Sequence, residues 1–194
     1  FVFFVDQRLD APHLAGPFLL VYFGSAILAT PLWVKLSSIV EKHRLWCYTM
    51  IYASVVFSAA AFLGSGDLIA FLFICLLGGA ALSADLAIPS SIQADLIDIE
   101  TLRGGKRRTG IFFSFWSIAT KGSVALSSGL GLLILSYANF DVIGDNTEVS
   151  LWVLTGLYAL VPIFLKISSI ALMWNFKLTK SYHVKIQRRL TKNS

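Results

Sequence analysis

The chain alternates long apolar segments with short polar connections, and this pattern predicts membrane-spanning helices. A helical span needs about 20 residues at 1.5 Å rise per residue. Five apolar segments are long enough, at approximately 14–36, 45–64, 68–90, 110–136 and 151–174. Residues 1–9 have the character of the end of a further apolar helix. The pattern therefore predicts an all-α, polytopic membrane helical bundle with five full spans and the end of a sixth.

Composition supports lipid as the outer solvent of this bundle. Hydrophobic residues make up 56% of the 194 and charged residues 14%, against about 25% charged residues in soluble domains. A large soluble core would need a polar shell that this chain does not have. We expect a transmembrane bundle over 1–176 and a basic tail over 177–194. The cysteines, Cys47 and Cys75, fall inside predicted spans without metal-ligand spacing, so neither a metal nor a cofactor is expected.

The charges are distributed unequally between the two sides of the predicted membrane. The connections 35–44 and 98–109 and the tail hold 13 of the 16 Lys and Arg residues. The connections 64–67 and 137–150 hold four acids and no Lys or Arg. The positive-inside rule then predicts an integral, multi-pass inner-membrane protein whose C-terminal tail is cytoplasmic. The basic residues do not form one face with interleaved aromatics, which argues against nucleic acid as a partner.

Lys121 lies deep in the segment 110–136, about 16 Å from its start at 1.5 Å per residue. On a helix, positions 114, 117, 121, 125 and 128 share one face and read Ser, Ser, Lys, Ala, Ser. A lysine at mid-bilayer costs about 2.5–3.5 kcal/mol on the gentlest scale, so it normally faces a bundle interior or a wet cavity. We interpret Lys121, with Ser117, as part of a transport pathway. A structural salt bridge between helices is the alternative.

Asp85 is a second charge inside a predicted span, one turn before Pro89. Backbone groups exposed near such a proline can serve as ligands where they line a cavity. Asp85 could bind a cation, accept a proton or pair with Lys121. Lys166 lies about two turns before the end of the last span, from which it is expected to extend toward the cytoplasm.

A third group of charges surrounds the Gly104–Gly105 turn. Opposite charges on both sides of this turn could form an ionic latch that closes a cytoplasmic mouth. The candidate gate residues are Asp95, Asp98, Arg103, Arg107 and Arg108. A solvated, charge-balanced loop is the alternative, because exposed ion pairs contribute only about 0–1 kcal/mol each.

The stretch ADLIDIETLRGGKRRTGIFFSFWSIATK, residues 94–121, resembles the glycoside–pentoside–hexuronide:cation symporters, the melibiose permease group of the major facilitator superfamily. The shared pattern consists of Ala94-Asp95, Asp98, the basic stretch Lys106–Arg108, the aromatic pair Phe112–Phe113 and Lys121. By this resemblance Lys121 matches the family's central lysine near the cation and sugar sites. Asp95, Asp98 and Arg107 match its cytoplasmic charged network. Thr109 departs from the pattern, since many members have Glu there.

The resemblance implies a twelve-helix, two-bundle fold, of which this chain would form the C-terminal six-helix half. It further implies cation-coupled symport of a sugar or related small solute by alternating access, with Na+ or H+ as the coupling cation. The expected partners are then the bilayer, a sugar or glycoside, the cation and an N-terminal six-helix bundle that a fragment of this kind would lack. Trp116 and Phe115 are candidates to line the cavity, because aromatic rings stack on sugars; simple packing is the alternative.

Two other function classes remain open at this level. A membrane enzyme would need a His, Asp or Cys constellation near a membrane surface. His13, His43 and His183 are scattered and no glycine-rich phosphate loop is present, so we expect no enzyme activity. The second alternative is a non-transporting structural or accessory membrane half-protein.

Overall fold

The apolar segments form helices because a bilayer offers no water to satisfy exposed backbone groups. The computed structural model describes residues 1–102, 109–142, 144 and 146–174, so the predicted tail 177–194 lies outside the described residues. The helices are α1 (Ala15–Ile39), α2 (Lys42–Ala60), α3 (Leu68–Leu102), α4 (Thr109–Tyr137), α5 (Glu148–Thr155) and α6 (Val161–Met173). A 3-10 turn (Pro12–Leu14) and two π-helical segments (Phe4–Arg8 and Gly156–Leu160) accompany them. The described residues contain no strand, which confirms the all-α prediction.

Among the described residues, four helical stretches are long and apolar enough to cross a membrane. They are Pro12–Ile39, Leu68–Asp98, Gly110–Tyr137 and Glu148–Met173, the last formed by α5, a π-helical segment and α6 in one run. The prediction of a multi-pass membrane bundle is confirmed. The fifth predicted span, 45–64, is helical as α2 but is not among these four. α2 packs between α3 and α6 and has eight buried residues, among them the polar His43 and Thr49.

α3 is central to the bundle and packs against both α1 and α2. Gly79 permits the closest approach of α3 to α1, because a Cβ at this position would overlap the Tyr22 carbonyl oxygen and Ser25 Oγ. Ser25 Oγ also donates a hydrogen bond to the Leu76 carbonyl oxygen at 2.7 Å. Small residues at such crossings let membrane helices approach closely and gain van der Waals contact.

The connections 35–44 and 98–109 define what we term the basic end of the bundle; the other end is the acidic end. The core of the acidic end is aromatic. Phe4 stacks on Tyr158 with ring centroids 4.4 Å apart, and Phe71 lies 5.6 Å from Phe4. Phe4 and Tyr158 belong to the two π-helical segments, so this stack joins them. The core nearer the basic end is aliphatic and consists of Leu45, Ala84, Ile88 and Ile92.

Polar contacts fasten the acidic end. Asn146, just before α5, donates through Nδ2 to Gln7 Oε1 at 2.8 Å. Arg8 donates through Nε to the Leu63 carbonyl oxygen at 3.0 Å, and its Cζ lies 5.1 Å from the centre of the Trp152 ring. Segments far apart in sequence are therefore tied together at this end.

Candidate functional site

α4 has two faces of different chemistry. One face is the predicted polar stripe, which consists of Ser114, Ser117, Lys121, Ala125 and Ser128. The other is an aromatic face at i, i+3, i+4 and i+7 spacing, which consists of Phe112, Phe115, Trp116 and Ala119. Trp116 and Lys121 are five residues apart, which turns them about 140° around the helix axis at 3.6 residues per turn. Trp116 and Lys121 therefore lie on different surfaces of α4.

The aromatic face lines a cavity of about 410 Å³ near the basic end. Gln93 of α3, Trp46 of α2 and Met173 of α6 line it as well, so the cavity lies where α4 meets the other helices. The walls are almost entirely apolar. Gln93 Nε2 donates to the Phe112 carbonyl oxygen at 3.0 Å, whereas its buried Oε1 has no hydrogen-bond partner among the described residues. Trp116 and Phe115, which the sequence offered as residues of the solute cavity, both line this apolar cavity. Their contact with a solute stays a prediction.

Lys121 is exposed, as are all its neighbours from 118 to 130. In the described part of the chain, no residue forms a hydrogen bond or an ion pair with the Lys121 ammonium group. Leu135 is the one buried residue of α4 between 110 and 137. The polar stripe thus points away from the helices that line the cavity. The described residues include no partner for the salt bridge that was the alternative interpretation of Lys121.

The hydroxyl groups of α4 fall into two sets. Several donate back to carbonyl oxygens of α4 itself, which satisfies them locally: Thr120, Ser123, Ser127 and Ser128. The hydroxyl groups of Ser114 and Ser117 make no hydrogen bond with any residue that the structure describes. Two hydroxyls of the polar stripe, both within two turns of Lys121, therefore keep their donors and acceptors available.

Asp85 binds Lys166 and Trp46. Lys166 Nζ lies 2.6 Å from Asp85 Oδ2, and the Trp46 indole nitrogen donates to Asp85 Oδ1 at 3.0 Å. The sequence left open a pairing of Asp85 with Lys121. For the described structure that prediction is wrong. Lys166 does not extend toward the end of its helix as expected, because an acid on α3 lies within its reach. The other two roles considered for Asp85, binding a cation or a proton, stay predictions.

At the basic end, Asp95 forms a salt bridge with Lys42. Lys42 Nζ lies 2.6 Å from Asp95 Oδ2, and the two side chains are 28% and 17% exposed. This contact ties the start of α2 to the late part of α3. Asp98 lies exposed on α3, one turn further on. The remaining gate candidates, Arg103, Arg107 and Arg108, lie outside the described residues.

Four residues of these surfaces were not predicted from the sequence: Lys42, Trp46, Gln93 and Lys166. A signal existed for Lys166, which is a charged residue inside a predicted span, about 10 Å from Met173 at 1.5 Å per residue. Two intramembrane charges of opposite sign favour a pair. Lys42 offered no comparable signal, because a lysine in a basic connection is already explained by membrane orientation.

Comparisons with known proteins bear on what these surfaces do. A family model described as MFS/sugar transport protein matches residues 1–180. An uncharacterized symporter of Synechocystis sp. is 24% identical over 184 residues, covering 91% of this chain and 34% of the relative. YagG of Escherichia coli K12, named as a candidate glycoside/cation symporter, is 27% identical over 197 residues, covering 99% of this chain and 42% of the relative. The chain spans between a third and a half of the length of these relatives.

Proposed function

Because this chain belongs to the MFS/sugar transport protein family, we propose that it forms the C-terminal half of a secondary active transporter. The transporter carries a sugar or related small solute together with Na+ or H+, by alternating access. The relative YagG is named as a glycoside/cation symporter, and this name supports both the proposed solute class and the proposed cation coupling. The family consists of transporters, so the membrane-enzyme alternative is not favoured.

The observation that carries the proposal is the orientation of the polar stripe on α4. Lys121 projects from a membrane-length helix on the face opposite the aromatic cavity, and no described residue neutralises it. A charge in lipid is costly, so a lysine at this depth belongs beside water or beside a partner that is not among the described residues. A solute pathway between this bundle and a second, N-terminal six-helix bundle meets that requirement.

Roles within the pathway follow from the chemistry of the stripe. The Lys121 ammonium has three hydrogen-bond donors and a positive charge, which suits solute oxygens and electrostatic coupling to a bound cation. The free Ser114 and Ser117 hydroxyls can each donate and accept, as recognition of a polyol requires.

The gate is proposed at the basic end, which the positive-inside rule places in the cytoplasm together with the C-terminal tail. The Asp95–Lys42 salt bridge supports a charged network there, because it holds the late part of α3 against α2. In this proposal Asp95 and Asp98 exchange partners with Arg103, Arg107 and Arg108 as the cytoplasmic side opens and closes. A coupled change of this kind needs two discrete arrangements of the network.

The test is gradient-driven uptake by the full-length protein in inner-membrane vesicles, with radiolabelled candidate sugars and imposed Na+ or H+ gradients. We expect uptake from the unaltered protein, loss of about tenfold or more in Lys121→Ala, and partial retention in Lys121→Arg, which keeps the charge. Lys35→Ala is the matched control, since Lys35 is an exposed lysine near the end of α1. Uptake by Lys121→Ala equal to that of the control would remove Lys121 from the pathway. Absence of driven uptake in the unaltered protein, across sugars and gradients, would refute the proposed transport.

A further inference from the structure

Asp85 and Lys166 form their ion pair inside two membrane-spanning stretches, Leu68–Asp98 and Glu148–Met173. At 1.5 Å per residue, Asp85 lies roughly 20 Å from the nearer end of its stretch and Lys166 roughly 10 Å from the nearer end of its own. The side chains are 31% and 19% exposed, with the Nζ–Oδ2 distance at 2.6 Å. Each charge is therefore compensated at a depth where neither would be stable alone.

Both oxygens of the Asp85 carboxylate already interact with a donor. Lys166 occupies Oδ2, and the Trp46 indole N–H donates to Oδ1. A coupling cation bound to this carboxylate would place a second positive charge beside the Lys166 ammonium and weaken the pair inside the membrane. This geometry is the one expected for Asp85 as the counter-ion of Lys166. It is not the geometry expected for a carboxylate that waits to bind a cation.

The pair also joins helices that have few other polar ties. α6 has no buried residue and packs mainly against α2. Lipid tails are as apolar as leucine, so hydrophobic burial does not fix how one membrane helix packs on another. Polar contacts therefore contribute more to the rotation and the register of a helix against its neighbours. Asp85 is on α3, Trp46 on α2 and Lys166 on α6, so one cluster ties all three helices together.

We propose that Asp85, Trp46 and Lys166 form an intramembrane clamp that fixes α6 against α2 and α3, and that Asp85 serves there as the counter-ion of Lys166 and does not bind the coupling cation. The clamp and the polar stripe of α4 are separate devices. Lys121 belongs to the stripe, and Lys166 belongs to the clamp.

The first test measures folding and does not depend on transport. In the full-length protein, Asp85→Asn and Lys166→Met each leave one intramembrane charge without its partner, whereas the double variant removes both. We expect each single variant to reduce the monodisperse yield after detergent extraction by about fivefold or more, and the double variant to recover at least about half of the normal yield. Asp10→Asn and Lys35→Met, at exposed positions, are the matched controls and keep normal yield. Single variants with normal yield, or losses that add in the double variant, would overturn the clamp.

The second test rests on the proposed function and asks whether Asp85 takes part in coupling. We expect the double variant to need the same cation concentration for half-maximal uptake as the unaltered protein, within about twofold. A double variant that folds normally but has lost cation dependence would assign Asp85 to the coupling site and overturn its role as a counter-ion. If the unaltered protein shows no uptake, the proposed function fails, while the yields still decide whether the clamp exists.

Discussion

Trp116 and Lys121 lie on opposite faces of α4, although both belong to one short stretch of sequence. Trp116 lines the aromatic cavity with Gln93 and Trp46, whereas Lys121 projects away from it. A single helix thus presents one surface to its own bundle and another to whatever lies outside. This separation gives the proposed pathway a definite face of α4 and leads to a direct experimental distinction.

The first prediction concerns water access to the two faces of α4. In the full-length protein, cysteines replacing Ser117, Lys121 or Ser128 should react with a membrane-impermeant maleimide, because the proposed pathway holds water. Leu126→Cys is the matched control, since Leu126 is also exposed in the bundle but lies on the aromatic side of the helix. Thiols react as thiolates, which need water, so we expect stripe positions to react about tenfold faster or more.

The native thiols provide a background for this labelling, because Cys47 and Cys75 are both buried and should react slowly. Equal rates at Lys121→Cys and Leu126→Cys would contradict the assignment of the stripe to a pathway. A faster reaction at Leu126→Cys would reverse the two faces.

The second prediction concerns the crossing of α1 and α3. Gly79→Ala places a methyl group against the Tyr22 carbonyl oxygen and Ser25 Oγ, so the helices must separate. Overpacking of this kind typically costs about 1–3 kcal/mol, and a backbone neighbour that cannot rotate away favours the upper part of that range. Gly122→Ala is the matched control, because nothing lies within 4 Å of its Cβ position. Thermal unfolding in detergent measures both; a Gly79→Ala variant as stable as Gly122→Ala would show that the crossing is looser than the structure has it.

The third prediction concerns the salt bridge at the basic end. Lys42→Met and Asp95→Asn each remove one partner of a half-buried pair, and each should cost about 1 kcal/mol of stability. The exchanged pair, Lys42→Asp with Asp95→Lys, should regain part of this loss, because the two positions remain adjacent. A double-mutant cycle gives the coupling energy directly. Zero coupling would mean that the contact does not hold α2 and α3 together in the membrane.

The sequence predicted the class of the molecule because lipid imposes a simple rule on it. Apolar segments of sufficient length must be helical, and α1, α3, α4 and the run from Glu148 to Met173 follow that rule. The resemblance drawn from residues 94–121 is confirmed by the family to which the chain belongs. The prediction of a span over 45–64 was weaker. A helix that is buried between neighbouring helices can hold polar residues, and composition alone does not show whether a segment is buried in this way.

By itself, the sequence determined which residues are apolar, which charges lie deep and which face of α4 carries Lys121, because these depend on helical periodicity and on hydropathy. Only the tertiary structure decided the partners: Lys166 for Asp85, Lys42 for Asp95, and the aromatic cavity for Trp116. The physical reason is that a charge inside a membrane requires a partner, but the requirement does not specify which one. Helix packing brings α6, and not α4, to the side of α3 that carries Asp85.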